Sequence, residues 1–162
     1  MTICALLTVL FFTSASTAAA PYAFFDDFGG VEFSLPKDWV KAAQNGKLIL
    51  APNETNSEMA IVFVISPAKK LEGKNFRSWF DSEMAASLGS QSKVLAPGQV
   101  ASQDVGSLRR LTTARAVQDS NGTTRIQMFH AISSGDSAVL VMGVTASQKA
   151  LDKYSLTIRG FF

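Results

Sequence analysis

Three rhythms of apolar and polar positions run along this chain, and each predicts a different kind of element. Val31-Glu32-Phe33-Ser34-Leu35 alternates, which reads as a half-buried strand stopped by Pro36. Lys47 to Leu50 reads as a short second strand closed by Pro52, and Asn53 to Glu58 as a polar loop. Met59 to Ile65 is continuously apolar and rich in β-branched residues, the pattern of a strand buried on both faces. The period then changes. Phe76, Trp79, Phe80, Met84 and Leu88 recur at helical spacing, with Asn75 placed to cap the start and Gly89 to follow the end. Pro97-Gly98 marks a turn, and Val100 to Val105 and Leu108 to Val117 read as strands broken at Gly106. Asp119-Ser120-Asn121-Gly122 is a hairpin turn, because Asn-Gly tolerates the positive φ that tight turns require. Arg125 to Ile132 returns from it, Ser134-Gly135-Asp136 turns again, and Ala138 to Val144 is a second nearly unbroken apolar run. From Ser147 onward Leu151, Tyr154, Ile158 and Phe161 form a helical stripe.

Three strands in succession joined by tight turns imply an antiparallel meander. Two strands apolar on both faces imply a sheet covered on both sides, and the two helices are the available covers. The expected fold class is therefore α+β, with a single central antiparallel sheet covered by helices on both faces. No internal repeat or linker divides the chain, so residues 21–162 are expected to form one domain.

The first twenty residues stand apart. Met1 to Ala20 carries no charged side chain, Ile3 to Phe12 has the length of a secretory apolar core, and Ala18-Ala19-Ala20 supplies an A-x-A-like cleavage site before Pro21. Residues 1–20 are thus expected to be a signal peptide, and the mature protein to be periplasmic or secreted. A membrane anchor is the rival, but the run is short for a span and lacks basic flanks. The charge, 15 Lys and Arg against 13 Asp and Glu, is nearly balanced. Basic residues cluster no further than the pairs Lys69-Lys70 and Arg109-Arg110, which is no counterion-releasing patch for nucleic acid. The single cysteine, Cys4, lies within the expected signal, so the mature domain has no disulfide, thiolate metal site or Cys nucleophile.

The segment Phe33-Ser-Leu-Pro-Lys-Asp-Trp39, followed by a hairpin, resembles the opening of the PsbP-like superfamily. The strand Met59 to Ser66, the helix rich in Phe and Trp, and a closing helix ending in aromatics resemble its order of elements over roughly residues 30–162. That group includes the extrinsic PsbP proteins of photosystem II, a yeast Ran-binding nuclear import factor and bacterial DcrB-like proteins. The resemblance implies a PsbP-like domain that binds other proteins or serves as an assembly factor. It implies no shared catalytic residue set, and no site is carried over from it.

Candidate chemistry is sparse. His130 is the only histidine, on the apolar parity of its strand with Ile126, Met128 and Ile132, and neither a partner acid nor further metal ligands stand at readable spacing. No Gly-x-Ser-x-Gly elbow or Gly-rich phosphate loop occurs. Asp26, Asp27 and Glu32 lack the alternating ladder of a calcium loop and read as solvated charge. Asn53 and Asn121 fit glycosylation sequons. No catalytic residue, cofactor or metal is therefore expected. The terminal alternation of Tyr154, Leu156, Ile158 and Phe162 hints at an outer-membrane barrel, but the Phe76 to Leu88 helix contradicts it.

Two groups of residues fit partner recognition. Phe24, Phe25 and Phe28 either cover one end of the core or form an aromatic anchor. Arg109, Arg115 and Arg125, on strands around the Asn-Gly hairpin, either decorate a solvated sheet face or make a basic strip for an acidic partner. The leading expectation is an exported, non-catalytic protein-binding or assembly-factor domain. Its partner would be another protein of the cell envelope, with no nucleic acid and no stable membrane span after signal cleavage. The alternative is a small periplasmic enzyme or ligand-binding protein using a pocket near His130; a cavity lined by carboxylates would favour it, and a packed imidazole would count against it.

Overall fold

A computed structural model of the chain describes residues 21–24, 31–54 and 56–161. The expected signal peptide, residues 1–20, lies outside the described residues, as do Phe25 and Phe28.

The first hairpin is not the one the alternation predicts. β2 (Val31–Ser34) pairs antiparallel with β1 (Pro21–Phe24), and these two strands form a small sheet of their own. The main sheet instead begins with β3 (Trp39–Gln44) and β4 (Lys47–Pro52). Asn45 and Gly46 join them with φ of 51° and 69°. Two consecutive left-handed residues are what a two-residue type I′ hairpin needs, and Asn-Gly is the pair that adopts them most readily.

A short 3-10 helix (Ser57–Met59) then leads into β5 (Ile61–Ile65), so the apolar run starts as a strand two residues later than its composition implies. After the two-residue β6 (Lys69–Lys70) comes α1 (Phe76–Ala86). Asn75 caps it as expected, its side chain accepting the Ser78 N–H at 2.8 Å. β7 (Lys93–Pro97), β8 (Ala101–Val105), β9 (Leu108–Gln118), β10 (Thr124–Ser134) and β11 (Ser137–Thr145) follow. The predicted meander of β9, β10 and β11 is present in continuous antiparallel register. The C-terminal helical stripe breaks at Tyr154 into α2 (Gln148–Lys153) and α3 (Ser155–Phe161).

Nine strands make the main sheet among the described residues, in the order β3-β4-β5-β11-β10-β9-β7, with β6 beside β11 and β8 beside β9. This corrects the expected α+β layering. Helices do not cover both faces of a single central sheet: among the described residues there are two sheets, strands dominate, and the three α-helices cover only part of each face of the larger one. α1 buries Phe76, Trp79 and Phe80 in a cluster with Leu111, Phe129, Ala131, Ala138 and Leu140. On the opposite face Leu151, Tyr154 and Ile158 lie against Trp39, Leu48, Leu50, Ile61, Phe63, Ile65, Met128 and Val141. Outside these two patches β3, β7 and β8 are almost wholly exposed. The physical reason is width. Strands stack about 4.8 Å apart, so seven in a row span close to 30 Å, whereas one helix is about 10 Å across.

One glycine shapes the second core patch. Gly143 sits between Phe63 on β5 and Met128 on β10, and a Cβ there would come within 2.7 Å of the Phe63 ring and 2.8 Å of the Met128 methyl. The missing side chain lets the Phe63 ring, itself fully buried, lie across β11 and stack on Trp39 at 5.8 Å. Tyr154 closes the group edge-on to Trp39, also at 5.8 Å. Each such large side chain, taken fully out of water, stabilises the fold by about 1.5–3 kcal/mol.

Candidate functional site

His130 occupies the middle of the sheet, paired with Val141 on β11 and Thr112 on β9. It is 2% exposed. A depression of about 350 Å³ borders it, lined by Gln99, Ala101, Thr112, Thr113, Met128, Phe129 and Ile158 as well. No carboxylate is among these residues. Burial, and after it the positive charge of Arg110, pulls the imidazole pKa down to about 4, so His130 is neutral at ordinary pH. A His base is normally oriented by a neighbouring acid, and a metal needs converging ligands. The lining supplies no acid, and no group of three His, Cys, Asp or Glu is placed to hold a metal among the described residues.

The three arginines do not form a strip. Arg109 and the position opposite Arg125, Val117, lie eight residues apart on β9, about 27 Å along the strand. Arg109 is exposed, with Nε 3.9 Å from Asp104 Oδ1. Arg115 is turned into the fold. Its Nε donates to Gln127 Oε1 at 2.7 Å, and one Nη donates to the Met84 carbonyl at 3.0 Å and to Ser87 Oγ at 3.1 Å. Its guanidinium also lies over the Phe129 ring, 4.9 Å from the centroid. Arg115 therefore ties the C-terminal end of α1, where carbonyls lack helical partners, to the sheet. Arg125 donates through Nε to Asp119 Oδ2 at 2.6 Å, beside the turn that Asn121 helps to close by accepting the Thr123 N–H. Of the aromatic group, Phe24 is placed in β1 opposite Val31.

Sequence reasoning missed a different surface. On the face that carries α1, the register sets Val40 beside Ala51, Ala42 beside Ile49, Ile49 beside Val64, and Val62 beside Val144. α1 does not extend over this end of the sheet. Val40 is 53% exposed, and Ile49, Ala51, Val62 and Val64 are half-buried. The only sequence signal was that Leu48 and Leu50 alternate with Ile49 and Ala51, two apolar parities in one strand. That pattern looks the same whether both faces are covered or one is bare.

This strip runs into a depression of about 570 Å³. Its floor is Ala60, Val62, Val144 and Ala146. Thr123 and Arg125 stand on one side, and Ser57, Glu58 and Ser147 on the other. The Ser147 hydroxyl fixes this second wall: it donates to the Glu58 carbonyl at 2.5 Å and accepts the Ala150 N–H at 3.2 Å as the α2 cap.

No family model and no curated protein matches the chain. Solved structures do share its fold. Protein PA94 of Pseudomonas aeruginosa, a protein of unknown function, superposes with a TM-score of 0.53 at 11% identity, over 86% of this chain and 91% of its own. The Saccharomyces cerevisiae Ran-binding protein Mog1p superposes with a TM-score of 0.51 at 9% identity, over 86% of this chain and 84% of its own. At such identities the likeness is one of fold.

Proposed function

We propose that this chain is an exported, non-catalytic protein-binding or assembly-factor domain whose partner is another protein of the cell envelope. The observation that carries this reading is the apolar strip Val40, Ala42, Ile49, Ala51, Val62 and Val64, over which no helix of the described residues lies. Contiguous apolar surface on a folded domain is characteristic of interaction sites, because leaving it in water is unfavourable and promotes aggregation. Export rests on the uncharged apolar start and the Ala18-Ala19-Ala20 triplet. Two further supports are fold-level: the resemblance to PsbP-like proteins, and the likeness in fold to Mog1p, a Ran-binding protein. Of the arginines proposed for recognition, Arg109 and Arg125 remain candidates at separate places, and Arg115 acts within the fold.

Site-specific photocrosslinking in the native cell envelope tests the binding reading. A crosslinker at Val40 or Ile49 should give one discrete heavier adduct, and the same group at Lys149 should give none. Equal labelling at all three positions would count against a defined partner surface. Intact-mass analysis of the exported chain tests the address; the expected N-terminus is Pro21, and recovery of the uncleaved chain from membranes would contradict it.

A further inference from the structure

The depression at the end of the strip carries charges of both signs around an apolar floor, and we propose that it binds a short apolar peptide by its two free termini. The inference is independent of export and of the protein partner proposed above. Arg125 and Glu58 line the same hollow from opposite sides. The hydrogen bond from the Ala146 N–H to the Ala60 carbonyl, 3.1 Å, sets position 60 beside 146. The β10–β11 register, with Ile126 opposite Thr145, sets Arg125 on the far side of 146. Positions 60 and 125 are thus two strand spacings apart, about 10 Å. An extended chain advances about 3.4 Å per residue, so a peptide of two or three residues bridges that gap.

Both charged walls are anchored. Asp119 holds Arg125 by Nε at 2.6 Å, which leaves the outer guanidinium nitrogens to receive a carboxylate as a fork. On the other wall the Glu58 carbonyl is fixed by Ser147, and the Glu58 N–H is bonded to Asn56 Oδ1 at 3.0 Å. Glu58 then supplies, within the lining of the hollow, the acid that the peptide ammonium pairs with. Val62 and Val144, adjacent in register, receive the peptide's apolar side chains, and the Ser57 and Thr123 hydroxyls are available to its backbone. A ligand of one sign would meet a like charge on one wall, whereas a short zwitterion satisfies both. The volume is within the usual range for small-molecule sites, about 300–1,000 Å³.

The test is an NMR titration of the 15N-labelled full chain with the tripeptide Leu-Ala-Leu, with its N-acetylated and C-amidated forms, and with free leucine. The free tripeptide should shift the amides of Val62 and Val144. Blocking either terminus should weaken binding at least about tenfold, and leucine, too short to reach both walls, should bind at least about tenfold more weakly. Glu58→Gln should abolish the penalty for acetylation while keeping that for amidation. Arg125→Gln should do the reverse, Arg125→Lys should lower the amidation penalty without abolishing it, and amide spectra should confirm that each variant is folded. Absence of shifts at about 10 mM tripeptide, equal binding of blocked and free peptides, leucine binding as tightly as the tripeptide, or a terminal preference unchanged in Glu58→Gln would each overturn the proposal.

Discussion

The two faces of the main sheet are built from similar residues and meet opposite fates. On the face of His130, Trp39, Phe63, Ile65, Met128 and Val141 are sealed beneath Leu151, Tyr154 and Ile158. On the other face Val40, Ile49, Val62 and Val64 stand beside strands of the same sheet, yet α1 lies over β10 and β11 and leaves them open. Val141 on β11 and Val62 on β5 are therefore different in kind. Val141 is core and Val62 is lining. What a β-branched residue does in a strand depends on which helix, if any, crosses above it.

Introducing a charge on each face is the sharpest way to break this comparison. Val141→Asp buries an unpaired ion and should cost several kcal/mol, enough to unfold a domain of ordinary stability. Val62→Asp, which the apolar run alone would mark as equally damaging, opens onto a depression of the surface and should cost about 1 kcal/mol or less. Urea denaturation of the two variants measures both. Equal losses would mean that the two faces are equally closed.

A second expectation concerns acid. The His130 pKa is about 4 in the folded chain and about 6.5 when unfolded. As pH falls below 6.5 the unfolded state takes up the proton first, so stability is complete above that pH and declines until about pH 4. The loss over this window should be about 3 kcal/mol. Denaturation midpoints from pH 7 to 4 should show the decline in the native chain and a shallower one in His130→Gln. An identical slope in the variant would mean that the imidazole is not buried in its neutral form.

Arg115→Ala should have a smaller effect, about 2 kcal/mol, because it removes charge-assisted hydrogen bonds to Gln127 and to the end of α1. Hydrogen exchange should then quicken at Ser87 and Leu88 before it does in β10. Arg109→Ala, which loses only an exposed contact to Asp104, should change stability by less than about 0.5 kcal/mol in the same thermal melt. If the two arginine variants behave alike, the inward clamp is not what holds α1 to the sheet. The smallest change is expected from Val40→Ser, within about 0.5 kcal/mol, while any adduct crosslinked at Ile49 should weaken markedly.

Local rhythm and turn chemistry made the meander, α1 and its Asn75 cap legible, because register, helical period and capping are properties of neighbours in the chain. β3 was missed although Asn45-Gly46 announced its turn, since Lys41, Ala42, Ala43 and Gln44 carry little strand preference and gain their place by pairing with β4. The break at Tyr154 was invisible for a related reason: an apolar stripe at helical spacing persists across two short helices as well as along one. His130 was correctly placed on the apolar parity of its strand, but its closeness to Arg110, Thr112 and Ile158 required three elements to meet.

The sequence by itself determined the strands of the meander, the capped start of α1, the apolar parity that holds His130, and that the start of the chain has the composition of an export signal. Tertiary structure alone decided which apolar parity became core and which became surface. It turned Arg115 inward while leaving Arg109 in water, and it set Glu58 across from Arg125. The physical reason is that burial depends on which residues distant in sequence come together. A nine-stranded sheet is wider than its helices can cover, and no local pattern records where the cover stops.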